Sequence, residues 1–311
     1  MIGPAPARVA RVALLAAGLA CAAAGPPPAA SPAPQRVLSM NLCTDQLALL
    51  LAGPGQLVSV SALAQDPFFS AMAEAARQLP ANHGRAEEIY LLRPDLVLAG
   101  RYTAQETVAI LTRLGVRVEL FDPEAALDDI PATMRRMGAL LGRPAEGAAL
   151  ADGFTARLAA LEAQGRGAGL GPQGAAASDP AEGPGSAADH ATSARPRAAL
   201  YAADGFTSGT GSLSGQILQA AGYDNVAEAL GIGAGGYLTL EELVRADPDL
   251  IVEGRRLPGA SRAEELLDHP ALAALKERAA TAVLSDPDWI CGTPRVLDAI
   301  AALAALREAP R

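Results

Sequence analysis

Two apolar runs sit in near-identical settings, 154 residues apart along the chain. Glu87-Glu88-Ile89 leads into Arg93-Pro94-Asp95 and then Leu96-Val97-Leu98-Ala99-Gly100. Glu241-Glu242-Leu243 leads into Asp247-Pro248-Asp249 and then Leu250-Ile251-Val252-Glu253-Gly254. A run that is apolar without alternation fits a strand buried on both faces, the habit of parallel α/β sheets. The acidic stretch before each run reads as a short helix. Two copies at this distance predict two similar α/β lobes rather than a solenoid, whose repeats span roughly 20–50 residues. Duplicated lobes enclose a cleft, and function is sought there.

The same patterning predicts further strands at 36–39, 57–61, 116–121, 198–201 and 282–284. Helices are expected at 44–51, 103–114, 125–141, 213–221 and 293–307, with Pro294 in the first turn of the last, and a helical region at 263–277. The alternation of strand and helix predicts mainly parallel sheets in two Rossmann-like lobes, 36–143 and 198–307. Between them, residues 144–164 carry helical apolar spacing (Phe154, Leu158, Leu161) and predict one long connecting helix. Residues 165–197 hold Gly, Ala, Ser and Pro with almost no large apolar side chain, which predicts a disordered insertion with His190 inert inside it. Residues 286–289 read as a loop. The run Gly209-Thr210-Gly211-Ser212-Leu213-Ser214-Gly215 lacks the dinucleotide spacing and reads as a helix-entry turn.

The first 24 residues have a different logic. Arg8 and Arg11 precede an apolar, uncharged stretch from Val12 to Ala24. That stretch is short of the roughly 20 residues a membrane-spanning helix needs. It reads as a secretory signal at 1–24 followed by a Pro/Ala tether at 25–35. Gly18-Leu19-Ala20-Cys21 resembles a lipobox with Cys21 as the lipidated residue, although Gly18 stands where Leu is usual; soluble release is the alternative. Either route exports the protein to the periplasm.

Composition removes some functions. The formal charge of −9, falling to −11 once Arg8 and Arg11 are removed, comes without any Lys/Arg cluster and argues against nucleic acid as a partner. No nucleophile elbow, HExxH motif or other catalytic constellation is present, so no enzyme is expected. No spacing of His and carboxylates suggests a bare zinc or manganese site. Only 11 residues are aromatic (five Phe, five Tyr, one Trp), so each deserves placing.

Several stretches, weak singly, gain meaning from their order. They are Arg36-Val37-Leu38-Ser39 with Thr44-Asp45-Gln46-Leu47, the two Glu…Pro-Asp copies, Thr207-Ser208-Gly209, Ala221-Gly222-Tyr223-Asp224-Asn225-Val226, and Trp289 with Pro294-Arg295. Together they resemble the substrate-binding proteins of ABC importers for cobalamin and ferric siderophores, across roughly residues 36–307. The resemblance implies two lobes on one backbone helix and a metal chelate held between them. It also implies no intrinsic cofactor, a monomer, and a permease with its ATPase as partners. The membrane would be met only through a lipid anchor.

The resemblance makes Glu87 and Glu241 permease-docking carboxylates, one per lobe; simple helix N-terminal acidity is the alternative. It also places Asn82 and His83 in the pocket, with Tyr237 at the corresponding place in the second lobe. Loops after strand C-termini line sites in open α/β sheets. That rule adds Arg101, Tyr102, Arg255, Arg256 and Trp289 as ligand-binding candidates, against packed Trp and solvated arginines. For a heme-like cargo, His83 could ligate the metal, with Tyr102 or Tyr237 as phenolate alternatives. Cys43 and Cys291 remain as the only pair in an oxidising compartment. A disulfide joining the lobes is expected, against two free thiols or thiolates that hold cargo. Competing functions are an exported enzyme, a periplasmic sensor, or heme capture on the same fold.

Overall fold

The computed structural model describes Gly3 and residues 32–167, 195–256, 259, 261–283 and 286–308. The expected signal, most of the tether, the lipidation candidate Cys21 and most of the expected insertion, with His190, lie outside the described residues. Among those described, no helix is long and apolar enough to cross a membrane.

The first lobe runs β1 (Val37–Ser39), α1 (Leu42–Leu51), β2 (Leu57–Ser61), α2 (Ala73–Ala76), β3 (Ala81–Asn82), α3 (Ala86–Leu91), β4 (Leu96–Gly100), α4 (Gln105–Arg113) and β5 (Val118–Phe121). Its five strands are all parallel, in the order β3-β2-β1-β4-β5. Next come α5 (Ile130–Leu140) and the long α6 (Pro144–Gly167).

The second lobe runs β6 (Arg197–Tyr201), β7 (Phe206–Thr207), α7 (Leu213–Ala220), β8 (Asp224–Asn225), α8 (Val226–Ala229), β9 (Gly236–Tyr237), α9 (Leu240–Ala246), β10 (Leu250–Glu253), α10 (Pro270–Lys276), β11 (Ala280–Val283), α11 (Asp286–Trp289) and α12 (Val296–Glu308). The order β11-β10-β6-β8 is again parallel, and β7 and β9 pair antiparallel beside it.

Two expectations need correction. Residues 286–289 form the one-turn helix α11 rather than a loop. The connecting helix runs past 164 to Gly167. The helical region expected at 263–277 holds a 3-10 segment, Arg262–Asp268, and then α10, which starts at Pro270 because proline has no amide hydrogen and fits a first turn; His269 Nδ1 accepts from the Ala271 amide at 3.1 Å.

The repeated Pro-Asp has a structural reason. Asp95 accepts from the backbone amides of Gln35 (2.7 Å) and Arg36 (3.0 Å), fixing the entry to β1. Asp249 does the same for Arg197 at the entry to β6, at 2.9 Å. In return, Arg36 donates to the Leu92 and Arg93 carbonyls, and Arg197 to the Asp247 carbonyl. Each Arg–Asp exchange thus joins the end of a helix, the start of its following strand and the start of the neighbouring strand. Arg93 and Asp247, which precede the prolines, both take the left-handed conformation (φ 48° and 43°), uncommon for non-glycine residues.

Alternate side chains of β4 point to two different cores. Leu96 and Leu98 join the main core, while Val97 and Ala99 join a second cluster with Leu38, Ile89 and Leu111. Strand β10 divides likewise, with Leu250 and Val252 on one side and Ile251 on the other. Both sheets are therefore covered on both faces. The main core runs without a break through Met134 and Met137 of α5 and Phe154, Leu158 and Leu161 of α6. It continues to Leu200, Ile217 and Ile300 of the second lobe. Helices α5 and α6 cross so closely that a Cβ on Gly138 would lie 2.7 Å from the Gly147 Cα, so glycine is required there.

A polar network is buried under the first sheet. Asp45 on α1 is fully buried and accepts from the Ser61 amide at 3.1 Å and from the Ser61 hydroxyl. Burial pushes its carboxyl from 3.8 up to about 6, against the Ser61 and Ser39 hydrogen bonds. The folded state therefore holds a proton that the unfolded chain has already released above pH 4. Stability from this group is fully present below the unfolded value and is lost as pH rises through about 6. The difference is about 3 kcal/mol. Denaturant unfolding of Asp45→Asn across pH 4 to 7 should lack this decline. Parallel profiles for the two proteins would refute it.

Candidate inter-lobe site

In both lobes the carboxyl ends of the parallel strands open into cavities, where side chains on the following loops can converge without interrupting the sheet. The first-lobe cavity, about 110 Å³, lies beyond β1, β4 and β5 and is lined by Asn41, Arg101, Tyr102, Thr103, Asp122 and Glu124 among others. The second-lobe cavity, about 310 Å³, lies beyond β6 and β10; Tyr201, Phe206, Thr207, Ser208, Arg255 and Glu264 contribute to its wall. Arg255 also reaches the other lobe. Its guanidinium lies 4.0 Å from the centre of the Phe68 ring, and Nη1 donates to the Phe68 carbonyl at 3.0 Å. A cation–π contact and a hydrogen bond therefore join the two lobes at the edge of the larger cavity.

A second bridge is covalent. Cys43, in the first turn of α1 and in the wall of the smaller cavity, forms a disulfide with Cys291, with Cα atoms 5.1 Å apart. The Asn41 side chain holds that first turn by accepting from the Cys43 and Thr44 amides. Next to the bridge, Glu124 of the first lobe accepts from the Gly292 amide, and a Cβ on Gly292 would meet its carboxylate at 2.7 Å. Burial pushes the Glu124 carboxyl up, against that hydrogen bond and others.

The sequence candidates separate into three groups. Arg101 and Tyr102 come together on the smaller cavity: Arg101 makes a two-point ion pair with Asp122, holding that carboxyl below its usual range, and Tyr102 is 77% exposed. Arg255 lines the larger cavity, and the exposed Tyr237 sets its ring edge-to-face against Phe206 of that wall, 6.0 Å between centres. His83 stands apart, with Nδ1 3.2 Å from the Glu88 carboxylate, and Arg256 is held by Asp268 in another two-point pair.

Asn82 and Trp289 are corrections. Asn82 is fully buried, donates to the Ser39 carbonyl and the Ser59 hydroxyl, and accepts from the Gly84 amide. Its side chain joins three segments of the first lobe and presents nothing to a ligand. Trp289 is 5% exposed in the main core, so α11 directs its ring inward. The Gly-rich run is a helix-entry turn as expected: Ser212 caps α7 through the Gly215 amide, and Gly209 packs on Gly215 too closely for any Cβ.

Phe68, Tyr201, Thr207 and Glu124 were not among the candidates. Phe68 left a trace in the sequence as half of the Phe68-Phe69 pair in an aromatic-poor chain, and Thr207 as the start of the Thr207-Ser208-Gly209 stretch. Among the described residues no group of three or more His, Cys, Asp or Glu is arranged to hold a metal ion.

No protein-family profile matches the chain. A cobalamin-binding protein of Halobacterium salinarum is 26% identical over 227 residues, 71% of this chain and 54% of that protein. The chain spans about half the length of the curated relatives it matches. Among solved structures, an apo periplasmic heme-binding protein from Roseiflexus sp. RS-1 aligns with a TM-score of 0.64 and 24% identity, over 87% of this chain and 97% of that one. The periplasmic vitamin B12-binding protein of Vibrio cholerae aligns at 0.58 and 20%, over 88% and 97%.

The bridge generates a test. Closing so long a loop, 248 residues in sequence separation, constrains the unfolded chain by about 5 kcal/mol in the chain-entropy model. Thiol titration of denatured, unreduced protein covering both cysteines should find neither Cys43 nor Cys291 free. Reduction should lower the denaturation midpoint sharply. Two reactive thiols before reduction would reject the bridge.

Proposed function

We propose that this protein, which has the fold of the Fe/B12 periplasmic binding proteins, is the substrate-binding component of an ABC importer. It captures a metal chelate, a corrinoid or a ferric siderophore, between its lobes in the periplasm and delivers it to a permease served by an ATPase. The reading rests on the pair of strand-end cavities, one per lobe, joined at the larger by Arg255 and Phe68. The curated relatives, named for binding cobalamin or vitamin B12, support it over an enzyme or a sensor. In this reading Arg101, Tyr102, Tyr237 and Arg255 meet the cargo, supported by their positions on or beside the two cavities.

Heme capture is the second reading, because the highly exposed Tyr102 phenol sits on the smaller cavity. A phenolate there could ligate iron; His83, whose Nδ1 is engaged by Glu88 and whose Nε2 is left for a ligand, is the alternative, but it is not among the residues lining either strand-end cavity. Absorption spectra of cargo co-purified from the native compartment separate corrinoid, ferric chelate and heme.

The docking reading gains support from a division of labour repeated in both copies. Glu88 accepts from the His83 amide, and Glu242 completes a capping box with Thr239. Glu87 and Glu241, one position earlier, are exposed and make no ion pair among the described residues. In the second lobe the capping role is filled by Glu242, and in the first Glu88 is engaged by the His83 amide although α3 has no side-chain cap, which leaves one exposed carboxylate per lobe for arginines of a two-fold permease. Glu87→Arg and Glu241→Arg should each leave cargo affinity unchanged and impair uptake in cells. Weakened cargo binding with normal delivery would overturn the assignment.

A further inference from the structure

Three arginines follow the carboxyl ends of β4 and β10, and their charges are spent differently. Arg101 is neutralised by Asp122 and Arg256 by Asp268, each in a two-point pair. Arg255, exposed and in the wall of the larger cavity, makes no ion pair among the described residues. Its partners are both neutral, and both belong to Phe68 of the other lobe. The ring centre lies 4.0 Å from the guanidinium, and the carbonyl accepts from Nη1 at 3.0 Å. Glu264 shares the cavity wall, but its charge acts on Arg256.

Phe68 is itself held in place. Its amide donates to the Asp66 carboxylate at 2.8 Å, while the Asp66 carbonyl accepts from the Phe69 and Ser70 amides at 3.1 and 2.9 Å. The Phe69 ring braces that of Phe68 edge-to-face, 4.9 Å between centres, and packs against the main core. The root of Arg255 is equally constrained, because a Cβ on the preceding Gly254 would lie 3.0 Å from the Ala202 Cβ. The guanidinium is therefore bound between a braced ring and a closely packed backbone. A loose arginine would have to be ordered when cargo arrives, at a cost in affinity. A ring face attracts a cation without neutralising it. One carbonyl occupies only part of the guanidinium fork, so the remaining N–H groups are left for an oxyanion.

We infer that Phe68 is a positioning residue for Arg255. It fixes the guanidinium at the larger cavity in the free protein and leaves its charge available to an anionic group of the cargo. This rests on the binding-protein reading and deepens it: one lobe sets in place the cation that the other presents. A carboxylate in place of the ring would hold Arg255 as firmly but would compete with the cargo for it.

The test uses Phe68→Leu, Phe68→Tyr and Arg255→Gln in the full chain, with acetate as the charge probe and hemin, cyanocobalamin and ferric desferrioxamine as cargo probes. In arginine-labelled protein, Arg255→Gln identifies the Arg255 side-chain NMR signal by its loss. In the parent without cargo, that signal should show restricted motion and a ring-current shift, and acetate should move it. Phe68→Leu should abolish the restriction and the ring-current shift, and Phe68→Tyr should restore both. For whichever chelate the parent binds, Phe68→Leu should weaken binding about fivefold at low salt and less at high salt. The same change in the Arg255→Gln background should have no effect. An equal loss with and without Arg255 would show that Phe68 touches cargo or supports the fold, which overturns the positioning role and leaves the binding-protein reading in place. Unchanged chelate affinity in Phe68→Leu overturns it likewise. If the parent binds none of the three chelates, that reading fails for these cargo classes. The NMR signal then decides alone: an Arg255 side chain that is mobile in the parent, unmoved by acetate or unaffected by Phe68→Leu overturns the proposal.

Discussion

The arrangement of the two lobes depends on one buried helix face. Phe154, Leu158 and Leu161 of α6 lie in a core that includes side chains of both sheets, so the helix is an internal wall rather than a tether. Its last turn is fixed by Arg307 of α12, which donates to the Gly165 carbonyl at 2.9 Å, and its middle by the Arg157–Asp298 pair at 2.7 Å. Rotating one lobe against the other would tear apolar contacts from a continuous core, at roughly 25 cal/mol for each Å² exposed. Everything at the strand ends inherits its position from this contact.

Where apolar packing ends, polar exchange takes over. Each lobe uses an arginine at a strand entry to cover helix carbonyls and an aspartate after proline to cover strand amides, as Arg36 with Asp95 and Arg197 with Asp249 show. These bonds leave few strand-entry groups unpaired, as a buried parallel sheet demands. The unpaired hydroxyls of Tyr201 and Thr207 lie at the opposite, carboxyl ends of their strands. The two cavities also lie beyond carboxyl ends, where a ligand site in an open α/β sheet is expected.

Much of the fold was legible because its signals are local. The Pro-Asp copies, the continuous apolar runs and the apolar spacing of the connecting helix each lie within one short window, and each became the expected element. The Cys43–Cys291 bridge was legible for a different reason: with export expected and Cys21 expected to be lipidated or cleaved away, these two cysteines were the pair expected to join. The site was harder to read. Whether Trp289 faces a cleft or a core depends on where α12 and α6 pack, and Asn82 is claimed by Ser39 and Ser59, distant in sequence. Tyr201 was given no role from the sequence, and Thr207 entered only through the Thr207-Ser208-Gly209 stretch. That neither hydroxyl has a partner among the described residues shows only in the fold.

The two lobe bridges bear on how selectivity can arise. Binding proteins with flexible hinges can recognise cargo by closing over it, adding contacts as the lobes approach. Here a buried helix, a disulfide beside one cavity and the Arg255–Phe68 contact beside the other leave little room for such closure. Recognition must then reside in groups already in place before cargo arrives. Preformed sites keep affinity by avoiding the entropy of ordering. They discriminate through donors that only the right ligand can satisfy. Exposed rings such as Tyr102 and Tyr237 offer broad contact to any flat ligand, whereas a guanidinium already held, as Arg255 is by Phe68, accepts few geometries. If the proposed function holds, selection among ligands of similar size falls to such preplaced groups rather than to closure of the lobes.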